Sequence, residues 1–181
     1  MSNISEIYLR TLEVSDYETV NLIRDGQGVY SNISGNKFFI SAEREKKWIK
    51  SLIFDNNKNY WAICLKSDNK MIGFCSIIDI DWRNRKANIG GMSIFNKYRN
   101  NGYGIYSLKL ILNFAFQELG LNKISLEYKE NNKVTEHGIE KLGFKKETLL
   151  RENIFKQGKF YNVVIVSILE SEYREQLENE V

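Results

Sequence analysis

The stretch of residues 98–104, YRNNGYG, most constrains what this chain can fold into. An apolar run with helical spacing, residues 105–119, follows it directly. Gly102 and Gly104 have no Cβ, so the backbone can adopt a left-handed conformation there and an anion can touch the main chain. Free N–H groups at the start of a helix attract phosphate, and the helix dipole adds to that attraction. The stretch therefore predicts a loop that binds a diphosphate group.

Two commoner glycine-rich phosphate loops do not fit this stretch. A dinucleotide-binding fingerprint has a third glycine where this chain has Ser107, and it needs an acidic residue on a second strand, which is missing here. A nucleoside-triphosphate loop ends in Gly-Lys-Ser or Gly-Lys-Thr, and neither pair occurs in the chain. The remaining pattern is R-x-x-G-x-G, beginning at Arg99. An ordinary glycine turn before a helix has the same pattern, so the loop alone does not decide the function.

Composition and charge restrict the class of protein. A chain of 181 residues with 43% hydrophobic content fits one domain, residues 1–181, with a charged tail over residues 171–181. The 26 basic and 23 acidic residues form no basic stripe, so we expect no nucleic-acid partner. The N-terminus does not have the pattern of a secretory signal, and the longest apolar stretch, residues 163–169, is too short to span a bilayer. We expect a cytoplasmic protein without a membrane partner.

The two cysteines, Cys64 and Cys75, lie in apolar runs that are typical of strands. Together with a single histidine they are too few for a metal site. The composition favours buried, reduced thiols and leaves a disulfide between them as the alternative.

Hydrophobic periodicity predicts strands and helices along the whole chain. Helices are expected after a capping box at Ser15, after Ser41, over residues 105–119 and from Asn132 to Leu142. A long connection without regular pattern covers residues 26–39. The predicted strands are residues 7–12, 60–65, 71–80, 87–95, 123–128, 144–155 and 159–169.

Gly90 and Gly91 stand side by side within the predicted strand 87–95. Paired glycines in a strand mark a bulge or the close approach of another backbone or a ligand. The phosphate loop follows this strand directly, so we expect the strand to lie beside the bound ligand.

Several short motifs, taken in order, resemble one family. They are Leu9-Arg10 with Leu12, Gly73-Phe74 in a hairpin, the bulged strand, the R-x-x-G-x-G loop, Asn132, and Leu142-Gly143-Phe144. In this order the chain resembles the GNAT superfamily of acetyl-coenzyme A-dependent N-acetyltransferases, in particular the branch with ribosomal-protein, spermidine and amino-sugar acetyltransferases. The resemblance implies an α+β fold, with a mixed, mostly antiparallel central sheet of about seven strands, a V-shaped splay and helices on both faces.

The resemblance also implies acetyl-coenzyme A as co-substrate, without a metal. The pyrophosphate of the coenzyme would lie on the loop, held by the backbone N–H groups of Asn100, Asn101, Gly102, Tyr103 and Gly104. Arg99 is the only cation of the loop and could add a charge-assisted hydrogen bond to the phosphate; the alternative is a solvated surface arginine. The pantetheine arm would pair with the backbone of Met92, Ser93 and Ile94 and contact Asn132. The N–H of Ile94 is expected to stabilise the negative charge that develops on the thioester oxygen.

Acetyl transfer to an amine requires a group that accepts the proton of the amine. Asp79 and Asp81 flank Ile80, and strand periodicity would point both to one face. Asp79 matches a position that is often acidic in this branch and is the first choice for the base, whereas Glu127 is a weaker candidate. The alternative is that both aspartates only solvate the strand end, near Trp82.

The chain differs from its relatives at the position of the residue that would protonate the leaving thiolate. Many members have a tyrosine seven residues after the asparagine, but counting from Asn132 gives Ile139. Thr135, three residues after Asn132, matches a hydroxyl position of the ribosomal-protein branch and is our candidate. Tyr128 is expected to pack in the core and His137 to lie on the surface. Asn88 occupies a position where relatives often carry glutamate.

The expected acceptor is a small primary amine, such as an amino sugar or a polyamine, ahead of a protein N-terminus. A polyamine should need several carboxylates, and residues 26–39 nearly lack them, which speaks against it. Tyr30 and Trp82 could stack on a sugar or a peptide side chain, so they join Asp79, Asp81 and Glu127 as candidate substrate-binding residues. A homodimer is compatible with the resemblance. The alternatives are a catalytically idle acyl-coenzyme A-binding module, suggested by Ile139, and a structural subunit that binds no coenzyme.

Overall fold

A computed structural model describes residues 6–25 and 40–179 of the chain. In these residues eight strands form a single sheet. They are β1 Ile7–Thr11, β2 Asn59–Leu65, β3 Met71–Asp81, β4 Lys86–Ile89, β5 Ser93–Ile94, β6 Lys123–Lys129, β7 Lys145–Lys156 and β8 Lys159–Leu169. The helices are α1 Tyr17–Asp25, α2 Ala42–Leu52, α3 Tyr103–Asn113, α4 Lys133–Lys141 and α5 Glu170–Asn179, and a π-helical turn, Phe114–Glu118, extends α3.

The sheet is mixed and mostly antiparallel, as the resemblance implied. The strand order is β1-β2-β3-β4-β6-β8-β7, with β5 paired to β3 beyond the end of β4. Every described pair of neighbouring strands is antiparallel except β4 and β6, which run parallel. The splitting of the predicted strand 87–95 into β4 and β5 accounts for eight strands rather than about seven.

Helices cover both faces of the sheet, which confirms the expected layers. On one face α3 and α4 pack into the larger core through buried residues such as Leu108, Ile111 and Ile139. On the other face α1 and α2 pack into a second core through Val20 and Ile49. The periodicity found in the sequence thus matches real buried stripes on these helices.

The start of α1 differs from the expected capping box at Ser15. A short 3₁₀ turn, Val14–Asp16, precedes the helix, and the Asp16 carboxylate accepts a hydrogen bond of 2.8 Å from the N–H of Glu13. Two further bonds of 2.8 Å come from the Arg10 guanidinium on β1. Burial disfavours the charged carboxylate, but these hydrogen bonds lower the pKa of Asp16 overall. The expected capping box at Ser15 was therefore wrong, because Asp16 provides the local tie instead. At α2, in contrast, Ser41 caps the helix as expected by accepting from the N–H of Arg44.

The predicted bulge at the paired glycines is confirmed. Ile77 pairs with Ile89 and Phe74 pairs with Ser93. Residues 75 and 76 of β3 therefore lie opposite three residues, 90–92, of the segment between β4 and β5. A Cβ at Gly90 would overlap the Ser76 hydroxyl, so glycine is required for this close approach. The bulge ends β4 and turns the chain into β5.

A V-shaped gap opens in the sheet at this bulge. The last residues that β4 pairs with β6 are Asn88 and Ser125. Beyond them β5 follows β3, while β6 continues to pair with β8 as far as Lys129. Among the described residues no strand fills the space between β5 and the second half of β6, which is the splay that the resemblance implied.

Both cysteines are buried and free, which confirms the predicted thiols and excludes the disulfide. Burial raises the pKa of Cys75, so its thiol remains protonated at neutral pH. None of the helices within residues 6–25 and 40–179 has the length and apolar composition needed to cross a membrane.

A substitution at Gly73 tests how closely β5 packs against β3. A Cβ there would lie 2.5 Å from the Ser93 carbonyl oxygen, a backbone atom that cannot move without shifting β5. We expect Gly73→Ala to lower the free energy of unfolding by about 1–3 kcal/mol, measured by guanidinium denaturation. Gly91→Ala is the control, because its Cβ would meet only the Phe74 ring at an ordinary 3.6 Å. Equal losses in the two variants would contradict this account of the strand contact.

Candidate active site

The glycine loop has the shape of an anion-binding nest. Asn100 and Gly102 both adopt left-handed backbone conformations, with φ of 63° and 78°, and Gly102 is the N-cap of α3. Within the described part of the chain, the N–H groups of Asn100, Asn101 and Gly102 donate to no other protein atom. The first N–H groups of α3, from Tyr103 onward, are likewise free because they begin the helix. Such a set of free N–H groups at a helix start is suited to a phosphate group.

Side chains around the loop hold it in this shape. Arg99 donates from Nε to the carbonyl oxygen of Ile94 at 3.1 Å, which fastens the loop to β5. Asn101 donates to the carbonyl oxygen of Arg99 at 3.2 Å, and the Tyr103 hydroxyl donates to the Glu6 carboxylate at 2.9 Å. Burial lowers the pKa of Arg99, but a guanidinium starts so high that it keeps its charge. Arg99 therefore positions the loop as well as supplying its cation.

Main-chain groups on both sides line the V-shaped gap. The N–H of Phe95 donates to Ile72 at 2.9 Å, so by the alternation of an antiparallel ladder the N–H of the preceding Ile94 points away from β3, into the gap. On the other side the N–H of Glu130 donates to Asn162 at 2.9 Å, and the same alternation turns the main chain of Glu127 towards the gap. A ligand with amide groups can therefore pair with the sheet there.

Asn132 begins α4 at the end of β6. Its side-chain oxygen accepts from the N–H of Thr135 at 3.3 Å, so the helix cap uses the acceptor of the amide. The Nδ2 group of Asn132 is left to donate to a ligand. The structure thus leaves Asn132 able to contact a ligand arm in the gap, the role that the resemblance implied.

The candidates for the proton donor lie on α4 and β6. Thr135 is half-buried, one turn before Ile139, which is buried in the core with 2% of its surface exposed. Tyr128 is also buried, which confirms the predicted packing role, and burial raises its pKa. His137 is exposed, as expected for a surface histidine.

Asp79 lies in a second bulge of the sheet. Ile78 pairs with Asn88 and Asp81 pairs with Lys86, so β3 has one extra residue between these pairs. Asp79 itself takes a left-handed conformation with φ of 53°, and its Oδ2 accepts from the Asn88 side-chain amide at 3.3 Å. The regular alternation assumed for Asp79 and Asp81 is therefore interrupted.

The other acidic candidates have different surroundings. Asp81 accepts from the Asn84 side chain at 2.7 Å and from the Asn84 N–H at 2.9 Å, so it closes the turn between β3 and β4. These hydrogen bonds lower the pKa of Asp81. Trp82 is 49% exposed in this turn, and Glu127 is exposed on β6. Tyr30 and residues 26–39 lie outside the described residues.

Two residues in this region were missed by the sequence reasoning. Glu6 holds Tyr103 of the loop, but the two are far apart in the chain and no local pattern links them. Asn88 was noted only as a departure from relatives, whereas it donates to Asp79 from the neighbouring strand. The strand register of the β3–β4 hairpin would have placed Asn88 opposite the end of β3. The bulge in β3 shifts that register, so it could not be read from the sequence.

The family model for the acetyltransferase (GNAT) domain matches residues 6–145. Among proteins of known sequence, the chain is similar to the SPbeta prophage-derived uncharacterized N-acetyltransferase YokL of Bacillus subtilis, with 26% identity over 91% of this chain and 90% of the relative. It is also similar to the spermidine N(1)-acetyltransferase of Vibrio cholerae, with 25% identity over 93% of this chain and 96% of the relative.

A solved structure has the same fold. The crystal structure of spermidine N-acetyltransferase from Vibrio cholerae, in complex with CoA and spermine, superimposes with a TM-score of 0.88. The match covers 94% of this chain and 99% of the other, at 24% identity. This likeness covers nearly the whole chain and supports the fold rather than any single residue role.

The left-handed conformation of Gly102 leads to a test of the loop. An alanine there would favour a different backbone by about 1–2 kcal/mol, so Gly102→Ala should weaken coenzyme A binding about tenfold, measured by calorimetry. Gly158→Ala is the matched control, because Gly158 has φ of 77°, equally open surroundings and a place in the distant β7–β8 turn. It should lower the melting temperature similarly and leave coenzyme affinity unchanged. Unchanged affinity in Gly102→Ala would show that the loop does not bind the coenzyme.

Proposed function

Since the chain belongs to the acetyltransferase (GNAT) family and uses acetyl-coenzyme A to acetylate a primary amine, we propose that its acceptor is a small amine with further positive charge, of the polyamine class. In the sequence, residues 26–39 nearly lack carboxylates, which speaks against a polyamine. We nevertheless place the polyamine first, because that stretch is only one part of the chain that can face an acceptor. The similarity to the spermidine N(1)-acetyltransferase of Vibrio cholerae supports the proposal.

The observation that carries the proposal is a pair of exposed carboxylates on one face of the sheet. Ala87 and Ile89 of β4, and Ile124, Leu126 and Tyr128 of β6, point into the core under α3 and α4. The residues that alternate with them therefore point to the opposite face. They include Asn88 and Glu127, and Asp79 on β3 reaches the same face through its hydrogen bond from Asn88. Both carboxylates are exposed on either side of the closed end of the gap, where an ammonium group is attracted.

In this proposal Asp79 binds the ammonium group and takes its proton, directly or through water, so that the nitrogen gains the lone pair needed for attack. The N–H of Ile94 donates to the thioester oxygen as negative charge develops there during formation of the C–N bond. As the C–S bond breaks, the nitrogen of the new amide loses its second proton to solvent, and Thr135 gives its hydroxyl proton to the sulfur and regains one from solvent. Asp81, Trp82, Glu127 and Tyr30 remain proposed contacts of the acceptor.

An amine panel tests the acceptor class. Thiol release from acetyl-coenzyme A would be measured with spermidine, spermine, putrescine, glucosamine and a peptide with a free N-terminus. We expect kcat/KM to be highest for the polyamines. Preference for glucosamine or the peptide would overturn the polyamine assignment. Coenzyme binding without thiol release on any amine would favour the idle coenzyme-binding module.

Asp79→Asn tests the proposed base. Removal of a general base costs about a hundredfold or more in rate, so kcat with the preferred amine should fall by about that factor. Asp68→Asn is the control, because Asp68 closes the turn at the other end of β3 by accepting from the N–H of Lys70. It should leave kcat and KM unchanged. Equal activity of the two variants would exclude Asp79 as the base.

Thr135→Val tests the proposed proton donor, because valine has nearly the shape of threonine and lacks the hydroxyl. We expect kcat to fall about a hundredfold with little change in KM for the amine. Thr135→Ser keeps the hydroxyl and should retain most of the activity. If valine and serine variants were equally active, solvent rather than Thr135 would protonate the thiolate.

Self-association also belongs to the proposal. One structure of the Vibrio cholerae spermidine N-acetyltransferase is described as dodecameric, and we propose that this chain likewise forms at least a homodimer. Light scattering of the purified protein would measure the mass, and a monomer at micromolar concentration would contradict this.

A further inference from the structure

Asn88 lies at the point where β4 and β6 separate. It is the last residue of β4 that has a neighbour on both sides, Ile78 on β3 and Ser125 on β6. Directly after it come Ile89 and the bulge at residues 90–92, where the gap opens. The backbone of Asn88 is thus held by two strands at the closed end of the gap, and its side chain points to the face without α3 and α4.

Asp79 faces Asn88 from a strained position. A left-handed backbone is costly for a residue with a Cβ, although aspartate tolerates it better than most. Bulges of this kind re-aim a side chain, and here the bulge brings the carboxylate to the Asn88 amide at 3.3 Å. Strain of this type is common where a side chain must be presented for function.

We propose that Asn88 is a positioning residue of the acetyl transfer, which holds the Asp79 carboxylate at the closed end of the gap in the orientation that receives the acceptor amine. The inference rests on the proposed function, since it assigns a role to Asn88 at the same site. Asn88 reaches Asp79 as a neutral donor through Nδ2 and leaves Oδ1 of Asp79 for the incoming ammonium group. Among the described residues, the Asp79 carboxylate accepts this hydrogen bond from Asn88 and no other.

The neutral amide matters because of charge. A carboxylate in place of the amide would put two negative charges within hydrogen-bond distance, and they would repel each other. With asparagine the pair carries a single negative charge, which the ammonium group can neutralise. Asn88 also presents its own carbonyl oxygen beside Asp79, so the pair offers the amine two acceptors on adjacent strands.

Three substitutions separate the roles of donor, shape and charge. Asn88→Ala removes the amide, and Asn88→Asp keeps the shape while exchanging the donor for a charged acceptor. Both should lower kcat/KM for the preferred amine about tenfold, with unchanged KM for acetyl-coenzyme A and unchanged melting temperature. Asn88→Gln keeps a donor on a longer side chain and should recover part of the loss. In an Asp79→Asn background, Asn88→Ala should cause no further loss, because the carboxylate that Asn88 positions is already gone.

The matched control is Asn84→Ala. Asn84 donates its side-chain amide to Asp81 at 2.7 Å in the turn of the same hairpin, so this variant removes an equivalent bond outside the proposed pair. Because Asn84 holds Asp81, which is proposed only as a further contact of the acceptor, this variant should lower kcat/KM for the amine less than Asn88→Ala does and leave KM for acetyl-coenzyme A unchanged. The inference would be overturned if Asn88→Asp kept full activity, if Asn84→Ala matched Asn88→Ala, or if the losses of Asn88→Ala and Asp79→Asn simply added.

A readout without an acceptor keeps this inference separate from the amine panel. The side-chain amide resonances of Asn88 in a ¹⁵N-labelled protein, assigned with Asn88→Ala, should shift in Asp79→Asn and not in Asp68→Asn. A shift supports the pair even if the panel yields a different amine class. If the resonances do not move, the hydrogen bond is absent and the inference fails, whatever the panel shows.

Discussion

The parting of β4 and β6 after their last parallel pair, Asn88 with Ser125, is the constraint on which the rest of this structure depends. A strand that loses its neighbour keeps main-chain N–H and C=O groups that need partners. Here the extra residue at 90–92 causes the loss, and glycine at position 90 makes the close contact with Ser76 possible. The unpaired main-chain groups of β5 and β6 are then available to hydrogen-bond an amide-containing ligand.

The loop and the gap act as one unit because both are anchored to β5. Arg99 connects the loop to the carbonyl oxygen of Ile94, and the N–H of the same Ile94 points into the gap. In the proposed function, a coenzyme held by its phosphate at α3 lies along β5, with its thioester towards Asn88. Alignment of this kind supplies much of the acceleration in a direct transfer between two bound substrates.

In the proposed function, the coenzyme and the acceptor amine are recognised by different parts of the molecule. The proposed coenzyme contacts are mainly main-chain groups, so what the sequence must supply is glycine at position 102, a bulge and a helix start. The proposed acceptor contacts are side chains from separate strands, such as Asp79 on β3 and Glu127 on β6. Their combination depends on register, and one bulge changes which side chains meet.

The sequence by itself determined the elements that follow from local rules: the loop at Gly102, the bulge at Gly90, the cap at Ser41, the buried thiols, and strand and helix order close to that observed. Each depends on residues near one another in the chain, where conformational preference and periodicity suffice. Only the tertiary structure decided that Glu6 holds Tyr103, that Asp16 rather than Ser15 ties the start of α1, and that Asn88 faces Asp79. These contacts join residues across strands and turns, and the bulge at Asp79 shifts the register by one residue, so no local pattern could place that carboxylate.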